Sequence, residues 1–233
     1  MFQGLAWLSL VVAFFCAAII AVHEIRNPQK MMVMNLVWPL TALYLSVFGL
    51  FLYFRFGAPM AKSHDHHWGG SQLGEPMTMR EKAEPTLTDA AVSATHCGAG
   101  CVLGDIVSEF VVFAYGATIL GSMLLASFIW DFVAAWSLGI AFQYFTIVPM
   151  RKLSPREGLI AAIKTDTLSI LAFQMGMYGW MLLVHFRLFP QSHMHPDEAA
   201  YWLLMQVAMV CGFVTSIPMN WWLLKIGWKE SMS

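Results

Sequence analysis

Six apolar runs, each close to the thickness of a bilayer, govern what this chain can fold into. They are Gly4–Val22, Met32–Phe56, Val102–Phe128, Phe132–Val148, Thr165–Phe186 and Ala199–Leu224. A hydrocarbon core of about 30 Å takes roughly 20 helical residues to cross. Backbone surrounded by lipid must satisfy its own hydrogen bonds, which leaves helices or a closed barrel. The pattern predicts an all-α polytopic bundle of about six transmembrane helices. Composition agrees: 58% of the residues are hydrophobic and 12% charged, against about a quarter charged in soluble domains. A net charge of −1 with no basic stripe gives no grip on nucleic acid. The lipid bilayer is the expected surrounding.

The third and fourth runs are separated only by Ile129-Trp130-Asp131, the expected turn of a helical hairpin. The first run has no basic residue before it and no small-x-small cleavage site after it, so it reads as a retained anchor. With six crossings, ten of the thirteen Lys and Arg residues fall on one side, and only Arg26, Lys30 and Arg187 on the other. The positive-inside rule then predicts two cytoplasmic termini. The chain divides into an N-terminal helix pair (1–57), a polar cytoplasmic linker (58–90) and a four-helix core (91–233).

Chemistry concentrates where the linker meets the third run, at Thr95-His96-Cys97-Gly98-Ala99-Gly100-Cys101. Positions i and i+4 share a helix face, so Cys97, Cys101, Asp105 and Glu109 form one row. Thiolate with imidazole suits a soft or borderline metal such as Cu(I) or Zn(II), which makes His96, Cys97 and Cys101 the expected metal ligands. Ionisable groups inside a membrane pair with one another or line a wet path. Asp105, Glu109, Lys164 and Asp166 are accordingly the expected proton or ion relay. Met177 with Met181, and Met205 with Met209, put further soft donors one turn apart. His64-Asp65-His66-His67 and His193-Met194-His195 are short His tracts on opposite faces. No nucleotide-binding loop, metalloprotease H-E-x-x-H or haem-attachment C-x-x-C-H is present.

The strings THCGAGCVLGDIVSE, GIAFQYFTIVPM, IKTDTLSILAFQMGMYGWM and HPDEAAYWLLMQVAMVCGFVTSIPMNWWLLKIGWKE, with VWPLTALYLSVFGLFLYFRFG before them, resemble an uncharacterised bacterial and archaeal family of integral membrane proteins. Its members are catalogued as a domain of unknown function and sometimes labelled "copper oxidase". The resemblance covers most of residues 31–231 and implies a bacterial inner membrane, but no established activity.

The resulting expectation is a membrane protein that binds a soft transition metal, Cu(I) first, in transport or trafficking. One alternative is a thiol oxidoreductase that cycles Cys97 and Cys101 against a quinone. Another is a non-catalytic assembly subunit with a fixed membrane partner or a second copy of itself.

Overall fold

A computed structural model of the chain describes residues 2–29, 31–58, 84–151, 153–189 and 195–229. Every regular element among them is helical: α1 (Phe2–Arg26), α2 (Met34–Leu52), α3 (Leu87–Tyr115), α4 (Met123–Arg151), α5 (Pro155–Leu183) and α6 (Ala199–Lys225). Short π-helical turns, Tyr53–Gly57 and Val184–Leu188, extend α2 and α5. Six helices are long and apolar enough to cross a membrane. Their outer faces carry large apolar side chains such as Trp7, Val11, Phe15, Phe145 and Met175, which suits a lipid surround.

Local signals set the helix ends. Thr86 accepts from the Asp89 amide and the Asp89 carboxylate accepts from the Thr86 amide, closing a capping box at the start of α3. Ser154 and Glu157 repeat the device ahead of α5, with Pro155 in the first turn. Each box satisfies amides that have no partner inside the helix. α3 stops at Gly116, whose φ of 59° is left-handed, a conformation glycine adopts without steric cost.

These boundaries correct the expected hairpin. The turn between α3 and α4 lies at Gly116–Ser122, where Leu120 and Gly121 also take positive φ and Ile119 and Ser122 exchange backbone hydrogen bonds. Asp131 is no turn residue and lies inside α4. Hydropathy misplaces the third run because Ser, Thr, His and Gly dilute the first half of α3, while Ala117–Gly121 reads as apolar helix. Residues 87–90, assigned above to the linker, form the first turn of α3; residues 59–83 lie outside the described residues.

α2 departs further from expectation. Ser46 has φ 48° and ψ −122°, a break in the helix. Beyond it the chain doubles back. Trp38 packs edge-on against Tyr53 at 5.6 Å, and a Cβ on Gly49 would stand 3.1 Å from the Ala42 Cα. In a straight helix Trp38 and Tyr53 would be about 22 Å apart. The Gln29 side chain, just before α2, donates to the carbonyl of Gly57 at its far end (2.5 Å). α2 is therefore a re-entrant hairpin whose two ends share one side of the bundle. The break frees carbonyls near its tip; that of Leu43 accepts from Gln206 Nε2 on α6 (2.7 Å), and Gln206 in turn accepts from Ser9 on α1 (2.6 Å). Non-helical backbone at membrane depth persists only when buried in protein or beside a wet cavity.

With α2 returning, α3 starts on the side where α1 ends. Arg26, Arg55, Arg151, Arg156, Lys164, Lys225 and Lys229 all belong to this side, and Arg187 alone among the described Lys and Arg residues belongs to the other. The start of α1 and the end of α6 thus face opposite sides. The expectation of two termini on one side fails because it counts α2 as a crossing.

α3 is the central helix, packed against α2, α4, α5 and α6. Close approach to α4 requires its glycines. A Cβ on Gly104 would meet the Ala135 nitrogen at 2.6 Å, and one on Gly100 would meet the Gly139 Cα at 3.0 Å.

Candidate functional site

The buried face of α3 carries a file of polar side chains. Ser93, Cys97, Cys101, Asp105 and Glu109 follow one another at four-residue steps, and all are buried. From Ser93 to Glu109 the file runs about 24 Å along the axis, most of a hydrocarbon core.

At the α3-start side the file meets a buried lysine. Lys229 Nζ donates to Asn220 Oδ1 at 2.8 Å and lies 3.4 Å from Asp166 Oδ1, 3.4 Å from Cys97 Sγ and 3.5 Å from Ser169 Oγ. Cys97 Sγ donates to Asp166 Oδ1 at 3.2 Å. Asn220 Oδ1 also accepts from Ser93 and Ser169, so α3, α5, α6 and the segment after α6 converge on one knot. The chain reaches it by reversing at Gly227, with φ 73°, where the amides of Trp228 and Lys229 both bond the Leu223 carbonyl. Burial pulls the Lys229 ammonium down, but the Cys97 sulfur and the Asp166 carboxylate outweigh burial and hold it above the ordinary lysine value of 10.5.

One turn beyond Cys101, both carboxylate oxygens of Asp105 lack a hydrogen-bond partner among the described residues, as do both amide atoms of Gln174 on α5. Both residues are almost fully buried, and they are neighbours. Such groups cost free energy unless something polar meets them; a water or a cation would satisfy them.

Toward the other side the file ends in an acidic cluster. Ser127 donates to Glu109 (3.1 Å) and Ser108 donates to Asp131; Asp105 lies within electrostatic reach of both carboxyls. Glu109 and Asp131 form part of the wall of a cavity of roughly 130 Å³. The same wall includes Met123, Met177, Met181 and Met205, His185 and His195, and Tyr178 and Tyr201. His185 is exposed and His195 partly so, which puts the cavity mouth at the α3-end side.

The expected residues divide among these places. Cys97 and Asp166 meet in the lysine knot, Asp105 and Glu109 belong to the acidic end, and Cys101 lies between. His96 is buried but turned to α4, its Nε2 3.4 Å from Thr146 Oγ1 and its Nδ1 unpartnered among the described residues. His96, Cys97 and Cys101 therefore do not converge, and no group of three His, Cys, Asp or Glu among the described residues is arranged to hold a metal ion. A resident copper bound by that triad does not fit. Both thiols are free, and α3 runs unbroken through them, so a Cys97–Cys101 disulfide would require the helix to open.

Lys164 stands apart from the file. It is exposed, with Nζ 4.0 Å from the centre of the Trp228 ring. Residues 164 and 166 lie two apart, roughly 200° around a helix, so they cannot face the same groove. His64, His66, His67, His193 and Met194 lie outside the described residues.

Sequence reasoning misses three members of the file: Asp131, Gln174 and Lys229. Asp131 is legible as the i+4 partner of Ser127 once the helix boundary is corrected. Lys229 carries no local signal, since a lysine just past a helix end is ordinarily solvated.

No curated protein and no solved structure matches the chain. A family model described as a domain of unknown function, DUF4396, matches residues 87–229, from the first residue of α3 to the buried lysine. The chain belongs to the DUF4396 family.

Proposed function

We propose that this protein carries a soft monovalent metal ion, Cu(I), across the membrane along the buried face of α3. The observation that carries the reading is the continuity of the file. A cavity lined by four methionines and two histidines includes Glu109 and Asp131 in its wall, and these lead to the unpartnered Asp105 and Gln174 and on to Cys101 and Cys97. Thioether, imidazole and thiol select soft cations, and buried carboxylates offset their charge. Cargo sites must bind weakly enough to release, which suits donors spread along a path better than one closed cage. The re-entrant α2, its tip beside α6 and its Tyr44 hydroxyl against Gly98, is a second feature common where a membrane protein builds a pathway.

The positive-inside rule, applied to the basic residues at the α3-start side, gives that side to the cytoplasm and the cavity mouth to the outside of an inner (plasma) membrane. The start of α1 is then outside and the end of α6 cytoplasmic.

The test is Ag(I), a redox-stable stand-in for Cu(I), offered to purified protein in liposomes. Uptake above protein-free liposomes is expected, with a loss of at least tenfold in Asp105→Asn. Failure of the wild-type protein to raise Ag(I) uptake overturns the reading. A second reading is proton transfer, favoured by the Ser108–Asp131 and Ser127–Glu109 bonds that hold carboxyls together near the cavity. An entrapped pH dye separates the two: acidification without Ag(I) that requires Asp105 supports proton movement.

A further inference from the structure

We propose that the knot around Lys229 is a second binding site for a monovalent metal cation, and that the Lys229 ammonium is a tethered cation that fills it until the metal displaces it. The inference rests on the cargo reading above for the identity of the metal.

The ammonium is surrounded as a small cation would be. Asn220 Oδ1, Asp166 Oδ1, Cys97 Sγ and Ser169 Oγ all lie within 3.5 Å of Nζ. They come from three different helices, so the pocket is set by the bundle and not by the tail that enters it. Asn220 Oδ1 is aimed by Ser93 and Ser169, and its amide nitrogen is fixed on the Ser216 carbonyl. One sulfur beside three oxygens offers a soft monovalent ion a thiol and a charge-balancing carboxylate.

The geometry also says how the lysine leaves. Its backbone follows a single reversal at Gly227, outside α6, so a change at that one turn withdraws the side chain without unwinding a spanning helix. Departure alone would strand Asp166 in a site shut off from solvent, which is costly. Arrival of another single positive charge removes that cost. The lysine therefore exchanges with a cation and does not simply dissociate. The pocket lies one turn from Cys101 on the same face of α3, at the end of the file opposite the Met and His cavity, so it is the last station before the α3-start side.

Two measurements with Ag(I) alone test this on the full chain. In wild-type protein, a small water-soluble amine-acylating reagent is applied with and without Ag(I), and modification of Lys229 is read by peptide mass. At least a threefold rise in Lys229 modification with Ag(I) is expected, while exposed Lys164 stays constant. In Lys229→Leu, which removes the ammonium without adding a donor atom, the equivalent of Ag(I) at the knot is expected to bind at least tenfold more tightly than in wild type, and it is lost in Lys229→Leu/Asp166→Asn. Unchanged labelling together with unchanged Ag(I) binding makes the lysine a structural anchor and overturns the inference. Should Lys229→Leu fail to fold, the wild-type labelling decides alone. Should the only equivalent of Ag(I) bound be the one that Lys229→Leu tightens and Asp166→Asn removes, the cargo reading of the cavity fails and the tethered-cation site stands.

Discussion

Lys229 Nζ lies 3.4 Å from Asp166 Oδ1, and both side chains are buried. The two residues are 63 positions apart in sequence. Their pairing ties the segment after α6 to the middle of α5 and closes one end of the polar file.

Removing either member alone leaves a buried charge without its counterion, which costs about 3–5 kcal/mol. Lys229→Met and Asp166→Asn are each expected to lower stability by that order, and the double variant to recover a large part of it. Denaturant unfolding of detergent-solubilised protein, read as a double-mutant cycle, checks this; additive losses would show that the pair is not a unit. The pH dependence has a definite sign. The folded value of Lys229 is raised above 10.5, so the lysine's contribution is complete below 10.5 and is lost as pH rises through the folded value. Stability due to this lysine is expected to be flat from about pH 6 to 9 and to fall only in strong alkali.

Asp105 is predicted to separate function from stability. Its two oxygens are buried and unpartnered among the described residues, and an amide of the same shape leaves that penalty in place. Asp105→Asn is expected to change stability by less than about 1 kcal/mol while lowering Ag(I) uptake at least tenfold. A variant that is destabilised and still transports would contradict both halves.

The α3–α4 contact makes a separate prediction. A Cβ on Gly104 would meet backbone of Ala135, so Gly104→Ala is expected to cost about 1–3 kcal/mol through overpacking. A Cβ on Gly179 of α5 would have no neighbour within 4 Å, and Gly179→Ala is expected to be neutral or to gain up to about 1 kcal/mol of helix propensity. Thermal unfolding of the two variants side by side gives the comparison.

Thiol chemistry checks burial directly. Cys16, Cys97 and Cys101 are buried and Cys211 is partly exposed. A membrane-permeant maleimide is expected to label Cys211 at least tenfold faster than the other three in folded protein, and all four after denaturation, as read by peptide mass. Rapid labelling of Cys101 in folded protein would contradict the packing of α3.

Some of this is legible in the residues and some is not. The Cys97, Cys101, Asp105, Glu109 row is legible because four-residue spacing fixes a helix face whatever surrounds it. The starts of α3 and α5 are marked by Thr86-x-x-Asp89 and Ser154-x-x-Glu157, but hydropathy alone passes over both and begins the runs at Val102 and Thr165. The direction of His96 is not: a neighbour of Cys97 in sequence lies about 100° round the helix, and only packing decides that it meets Thr146. The reversal of α2 hangs on the backbone of Ser46, a residue whose turn preference is weak and which serves equally well inside a membrane helix, so its presence in an apolar run does not announce a break. Lys229 shows the same limit, because a long-range pocket assembled from α3, α5 and α6 leaves no trace near position 229.

The position of Asp105 has an electrical consequence. It lies ten residues from the end of the 29-residue α3, roughly a third of the helix length from the side where the cavity opens. A full crossing by one charge is worth about 2.3 kcal/mol per 100 mV, so a cation that travels from the cavity mouth to Asp105 feels about 0.8 kcal/mol of that. With the cavity facing outward, an inside-negative potential would raise occupancy of Asp105 about fourfold per 100 mV, and the voltage across the membrane itself would load the path.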